Sequence, residues 1–219
     1  MMLISYELEK NRRQIPKTSE YLKLKTYCDY LYGYLQVNSS YDETTKTRYI
    51  LKKDCKYTDI AKDLGISRQT VSKKFNDLKT TGLIKEDEIN NRFILVTLEK
   101  EIAELIPFST LRILSNTVQD KVISVYVYLL VRFRAEKQKS FRFTLSQIKS
   151  AVGVGESRST DYIISDILTV LQKLGLLKYE GVTEFEEGVG YKYCYHILDM
   201  NNKIEEADGS PIAESIQKC

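Results

Sequence analysis

The sequence predicts an α+β fold, mainly helical with small β-hairpins, in which one architectural unit is used twice. Two stretches, 57–98 and 144–198, run in the same order: helix, glycine-stopped turn, helix, hairpin. Within their helices apolar residues recur at steps of three and four, the period of an amphipathic helix. The composition agrees with a folded chain: 42% hydrophobic and 29% charged residues, with only 3 Pro and 10 Gly among 219 residues. That balance excludes a disordered or fibrous protein, and the length excludes a disulfide-stapled miniprotein.

The elements follow in order. Thr18 is placed to cap a long helix whose stripe is Tyr21, Leu24, Cys28, Leu31 and Leu35. A polar turn spans 38–42, and the alternation of Thr47 to Leu51 predicts a short strand. Thr58 is expected to cap the next helix, with Ile60, Ala61 and Leu64 facing inward, Ala61 being small enough for a second helix to cross closely. Gly65 stops it at a sharp turn, Ile66 fills the corner and Ser67 caps the following helix. There Val71, Phe75 and Leu78 lie within roughly a 60° arc at ~100° per residue. Gly82 ends that helix. Leu83 to Glu88 and Arg92 to Leu98, joined through Ile89, Asn90 and Asn91, predict a hairpin. Glu99 to Ile106 reads as a helix stopped by Pro107, and 108–117 as a connector.

The second unit begins with a helix carrying Val122, Val125, Tyr126, Leu129, Leu130 and Phe133, despite its many β-branched residues. Phe141 to Phe143 is a short strand, Thr144 caps Leu145 to Val152, and Gly153-Val154 mirrors Gly65-Ile66. Ile164, Leu168, Leu171 and Gly175 repeat the spacing of Val71, Phe75, Leu78 and Gly82. Ten steps separate Val154 from Ile164 where the first unit has five, so 155–159 is expected to form an extended loop. Leu176 to Glu180 and Tyr191 to Leu198 complete a second hairpin. The predicted organisation is an N-terminal unit at 1–106, a C-terminal unit at 107–199 and an acidic, flexible tail at 200–219, in which 212–217 is a short docking helix or remains unstructured.

Helix, strand, helix, turn, helix, hairpin is the order of a winged helix. Ile60-Ala61, Leu64-Gly65-Ile66-Ser67, Val71, Phe75, Leu78 and Gly82-Leu83-Ile84 resemble the helix-turn-helix of bacterial winged-helix DNA-binding proteins. Two such units in tandem in a small basic chain resemble plasmid replication initiators and phage replisome organisers, a likeness of layout that spans nearly the whole chain. It implies a protein that binds repeated origin sites on double-stranded DNA as a homodimer and engages helicase or other replisome proteins, without a cofactor. In the familiar plasmid initiators the C-terminal unit makes the main DNA contacts; here the first unit carries the stronger signature.

Charge points the same way. The formal net charge is only +3, but 46–74 holds nine basic residues (Lys46, Arg48, Lys52, Lys53, Lys56, Lys62, Arg68, Lys73, Lys74) against Asp54, Asp59 and Asp63, a candidate polyanion surface. With Val71 inward, Gln69, Ser72, Lys73, Asn76 and Thr80 face outward and Arg68 stands at the edge. Gln and Asn can pair bidentately with adenine, Arg and Lys with guanine, and a helix fits the major groove. The assigned base readers are therefore Arg68, Gln69, Ser72, Lys73 and Asn76; the alternative for this face is a solvated polar surface. Lys56, Thr58, Lys62, Ser67, Thr70 and Lys74 are expected to face phosphates, with Asn91 and Arg92 reaching from the wing.

The second unit shows a different face. Tyr162, Ser165, Asp166 and Thr169 point outward with Asp161 at the edge, and Glu184, Glu186 and Glu187 lie on its wing, a surface phosphate would avoid. The expectation is that it holds a partner, most simply a second copy. Auxiliary DNA contacts are assigned to Arg134, Lys137, Lys139 and Arg142, which with Arg132 form a basic edge or a solvated helix end, and to Ser157, Arg158 and Ser159 at a helix start.

Other classes fit less well. A single histidine, His196, and scattered Cys28, Cys55, Cys194 and Cys219 provide no zinc spacing and no paired-histidine nicking centre. Gly153-Val-Gly155 and Gly188-Val-Gly190 lack the lysine of a phosphate loop. Catalysis is not expected, and the thiols read as those of a cytosolic protein with neither signal peptide nor membrane span. A dimeric winged-helix transcription regulator and a protein-docking adaptor are the rivals.

Overall fold

The computed structural model describes residues 11–117, 119–137, 140–186 and 190–201. The expectations on Lys139, Glu187, Cys219 and the tail beyond Asn201 lie outside them, as does that on the first ten residues. The protein is mixed α+β, with 45% helix and 25% strand, so strand contributes more than small wings alone would.

The first unit contains strand β1 (Arg12–Pro16), helices α1 (Ser19–Leu22) and α2 (Asp29–Val37), strands β2 (Ser40–Asp42) and β3 (Thr47–Leu51), helices α3 (Tyr57–Leu64) and α4 (Arg68–Thr80), and strands β4 (Ile84–Asp87) and β5 (Arg92–Leu95). Strand β6 (Ala103–Pro107) and helix α5 (Phe108–Asn116) lead into the second: α6 (Val122–Ala135), β7 (Phe141–Phe143), α7 (Leu145–Val152), α8 (Arg158–Lys173), β8 (Leu177–Glu186) and β9 (Gly190–Met200).

Both helix pairs turn on a glycine in the left-handed region, Gly65 at φ 64° and Gly153 at φ 71°, where a side chain would be strained. Ile66 N donates to Ala61 O at 3.0 Å and Val154 N to Lys149 O at 2.9 Å, so the turns close in the same way. The second helix of each pair buries its inward stripe completely: Val71, Phe75 and Leu78 in α4, Ile164, Leu168 and Leu171 in α8. In each unit the strand preceding the helix pair joins the second strand of the hairpin, β3 with β5 (Ile50 opposite Phe93) and β7 with β9 (Phe141 opposite Ile197), all antiparallel. The sheets run β2-β3-β5-β4 and β7-β9-β8.

Several expectations are corrected. The helix expected from Thr18 to Leu35 is two helices, α1 and α2. Between them the backbone of Lys23 lies against Gly153, so close that a Cβ on Gly153 would stand 2.6 Å from Lys23 O, and the Thr18 hydroxyl caps nothing. The stretch 99–106 is not a helix: it ends in β6, which pairs with β1 from Arg12 opposite Pro107 to Pro16 opposite Ala103 and buries Ala103, Ile106 and Pro107. The expected connector 108–117 is helix α5, and the polar turn at 38–42 contains β2. Thr58 is not the cap of α3, because Lys56 holds that position and Thr58 falls in the first turn. The expected loop 155–159 is shorter, because α8 starts at Arg158 with Ser157 as its cap, accepting from Thr160 N at 3.2 Å. The second hairpin is also longer than predicted.

The two units share one apolar core. Helix α2 crosses α5 and α6 at Gly33, where a Cβ would meet Ile123 Cδ1 at 2.7 Å and Leu111 Cδ1 at 3.3 Å. Asp29, fully buried, accepts from Lys121 N (3.1 Å), Ser124 N (2.9 Å) and Ser124 Oγ (3.0 Å), and so caps α6 from another unit. Burial raises its carboxyl above the usual range, and these donors act against that rise.

Candidate nucleic-acid interface

Helix α4 owes its position to both ends and one face. Ser67 Oγ accepts from Thr70 N at 3.0 Å, fixing the first turn. On the inward side Phe75 meets Phe93 edge-on at 4.9 Å between centroids and Tyr57 at 5.2 Å. Those contacts set the rotation of α4 about its axis, and with it the outward face.

That face is open. Arg68, Gln69, Lys73 and Asn76 are exposed and Ser72 half-exposed. No described residue takes a side-chain hydrogen bond or ion pair from any of the five. Thr80 is also exposed, but its hydroxyl donates to Asn76 O at 3.0 Å. Lys56, Thr58 and Lys62 on α3 are exposed, and Lys74 is half-buried at the edge. Thr70 is half-buried and its hydroxyl is shared with Ser67 Oγ at 2.9 Å. The helix therefore presents its polar groups in the arrangement read from the sequence.

The hairpin after α4 is different. Arg92 does not reach outward: it donates to Asp87 Oδ2 at 2.8 Å and Asp42 Oδ2 at 2.9 Å and stacks over Tyr49 at 4.9 Å. Lys52, counted among the polyanion-facing residues, bonds Glu86 at 2.5 Å and Glu88 at 2.7 Å, while Lys79 bonds Glu86 at 2.9 Å and sits 4.9 Å from the Phe93 centroid. These cations, with the amide of Asn90, hold Glu86, Asp87 and Asp42 each near pKa 2: Lys52 acts first on Glu86, Asn90 and then Arg92 on Asp87, and Arg92 on Asp42. The hairpin is thus bound into an ion-pair network of three cations and four carboxylates, with Lys85 exposed beside it. What it offers at its tip is Asn91, exposed with φ 50°, and Ile89, 95% exposed. From the sequence Ile89 reads only as a turn residue; an apolar side chain set between Glu88 and Asn90-Asn91 is the available signal.

In the second unit the basic edge is mostly occupied. Arg134 is bound to Glu104, Arg142 to Glu184 at 3.0 Å, and Arg132 donates to Tyr128 Oη at 3.1 Å and lies over Phe141. Lys137 is exposed just past α6. Ser157 and Ser159 hydroxyls bond each other at 2.9 Å, and Arg158 is exposed. Buried Lys149 binds Glu156 and Asp161, the latter at 2.7 Å, so two carboxylates stand at the start of α8. That placement opposes a phosphate there. The two sets of predicted DNA contacts are therefore not brought into one surface of equal character: the α3–α4 set is open and basic, the second-unit set largely paired.

Among the described residues no group of three or more His, Cys, Asp or Glu is arranged to hold a metal, Cys28, Cys55 and Cys194 form no disulfide, and no helix is long and apolar enough to cross a membrane. No protein-family model matches the chain, and no curated protein is similar to it.

Proposed function

We propose that the chain is a sequence-specific double-stranded DNA-binding protein, built as two winged helices in tandem, that reads the major groove with α4. The observation that carries this is the outward face of α4, where Arg68, Gln69, Ser72, Lys73 and Asn76 are uncommitted while Lys52, Lys79 and Arg92 around the neighbouring wing are paired. Groups that are neither packed nor paired retain their hydrogen-bonding capacity for base edges. The winged-helix reading is supported by the repeated topology, in which the strand before each helix pair joins the hairpin. Lys56, Lys62 and Lys74 flank the helix as phosphate contacts, and the second unit supplies the contact with another copy. Following the layout that resembles plasmid replication initiators, the site is taken to be a repeated sequence at an origin, and recruitment of helicase the downstream step.

The test is selection of bound duplexes from a random pool, followed by footprinting on DNA flanking the coding sequence. A defined, repeated site protected by the wild type and lost in Arg68→Ala/Gln69→Ala/Lys73→Ala supports the reading. Selection of no consensus, or a site unaffected by the triple substitution, overturns it. Loss of plasmid or phage replication in the same variant separates an initiator from a transcription regulator, for which only expression of adjacent genes would change.

A further inference from the structure

Helix α8 uses one side for the core and leaves the other uncovered. Tyr162 is 71% exposed and Ile163 42%, the only exposed large apolar residues of any described helix, next to a core whose inward residues are fully buried. On the same face, at the i±4 and i±3 positions that share a helix side, stand Arg158 and Ser159 before Tyr162, and Ser165 and Asp166 after it. Arg158 and Asp166 are exposed, and neither has an ion-pair partner among the described residues. They cannot pair with each other in one helix, being about 12 Å apart along the axis. Helix stability does not explain Arg158 either, since the first position of a helix disfavours a cation.

Read outward from Tyr162, the face is therefore self-complementary: aromatic at the centre, a serine on each side, then a cation at one end and an anion at the other. An antiparallel copy turned about a twofold axis through Tyr162 places Arg158 against Asp166 of the partner subunit and, by symmetry, Asp166 against Arg158 of the partner subunit. Ser159 then opposes Ser165 of the partner subunit, small residues that let the helices approach. Asp161, at the edge of this face, is held back by its ion pair with Lys149.

We infer that this face of α8 joins two copies of the chain in an antiparallel, twofold-symmetric helix pair. The inference rests on the reading of the second unit as the one that contacts another copy, and it specifies the surface and register. A pair of helices this short lies at the small end of interface sizes, so the dimer depends on concentration.

Sedimentation velocity over a concentration series of the full chain tests it. The wild type forms a dimer; Arg158→Asp and Asp166→Arg each weaken it at least tenfold, because each brings like charges together twice. The double variant R158D/D166R regains wild-type association. Most specifically, an equimolar mixture of the two single variants associates although neither does alone, since each then meets the opposite charge at both ends. Unchanged circular dichroism and melting show that these surface changes leave the fold intact. A wild-type dimer that both single variants retain overturns the α8 contact while leaving self-association through another surface standing. Failure of the mixed variants to pair overturns the antiparallel register. A wild type that is monomeric at every concentration overturns both the contact and the reading it rests on.

Discussion

In the first helix pair the position four residues before the turn glycine is Ala61, small and buried; in the second it is Lys149. Ala61 is a small buried apolar residue that joins the turn only through its carbonyl, which accepts from Ile66 N. Lys149 instead buries its stem and binds Glu156 and Asp161, which carry negative charge to the first turn of α8. The first turn of α4, by contrast, contains no acid and starts with Ser67, Arg68, Gln69 and Thr70. The inward stripes and turn glycines correspond between the units because packing and backbone conformation restrict them. The positions just outside that skeleton are free to differ, and they decide what each helix can meet.

The comparison can be broken from either side, and the largest effect is expected at α4. Each good base contact is worth about 1–3 kcal/mol, so Arg68→Ala/Gln69→Ala/Lys73→Ala lowers specific DNA affinity by more than about 100-fold in a mobility-shift titration. Asp166→Ala leaves the affinity for a single site unchanged. Substituting Lys56, Lys62 or Lys74 weakens all sequences alike and reduces the salt-dependence slope by about one each.

Next comes the joint between the units. Asp29→Ala leaves the Lys121 and Ser124 donors of α6 without their acceptor, and each buried unpaired donor costs about 1–3 kcal/mol. Chemical denaturation therefore shows a loss of roughly 3 kcal/mol or more. Because α2 touches both units, its loss is expected to loosen α4 relative to α6, seen as faster hydrogen exchange at both.

A smaller, pH-dependent difference separates the two hairpins. Glu86, Asp87 and Asp42 have folded-state pKa values near 2, below their ordinary 4.5, 3.8 and 3.8. Depressed carboxylates contribute stability that is complete above the ordinary values and lost as pH falls toward 2. Acidification from pH 5 to about 2 should accordingly lower the protection of the β4 and β5 amides against exchange, measured relative to their intrinsic rates at each pH. Lys149→Ala, the smallest change, should lower the melting temperature slightly and raise the pKa of Glu156, now held down first by Lys149; carboxylate titration by NMR would show this.

The helix pairs were legible in the sequence because their signals are local: a stripe at steps of three and four, a glycine, and a serine or threonine cap within one turn. The same locality misled the reading of Glu99 to Ile106. Its glutamates and apolar residues favour a helix in isolation, but the partner strand Arg12–Pro16 lies at the other end of the first unit and has no sequence signal near position 103. The break between α1 and α2 has the same origin, since the contact of Lys23 with Gly153 joins residues far apart in the chain. At the candidate site, the sequence identified which α4 residues face outward, because the inward stripe fixes the rotation. It misassigned Arg92, whose residue type suited a phosphate but whose neighbours Asp42 and Asp87 take up its charge.

The sequence by itself determined two helix-turn-helix-hairpin units and the polar outer face of α4, since each depends on periodicity and capping within a dozen or so residues. Only the tertiary structure decided which charges remain available and how the units join. A guanidinium or ammonium group finds its partner by distance in space, and a strand such as β6 has hydrogen-bonding groups that can be satisfied only across the chain.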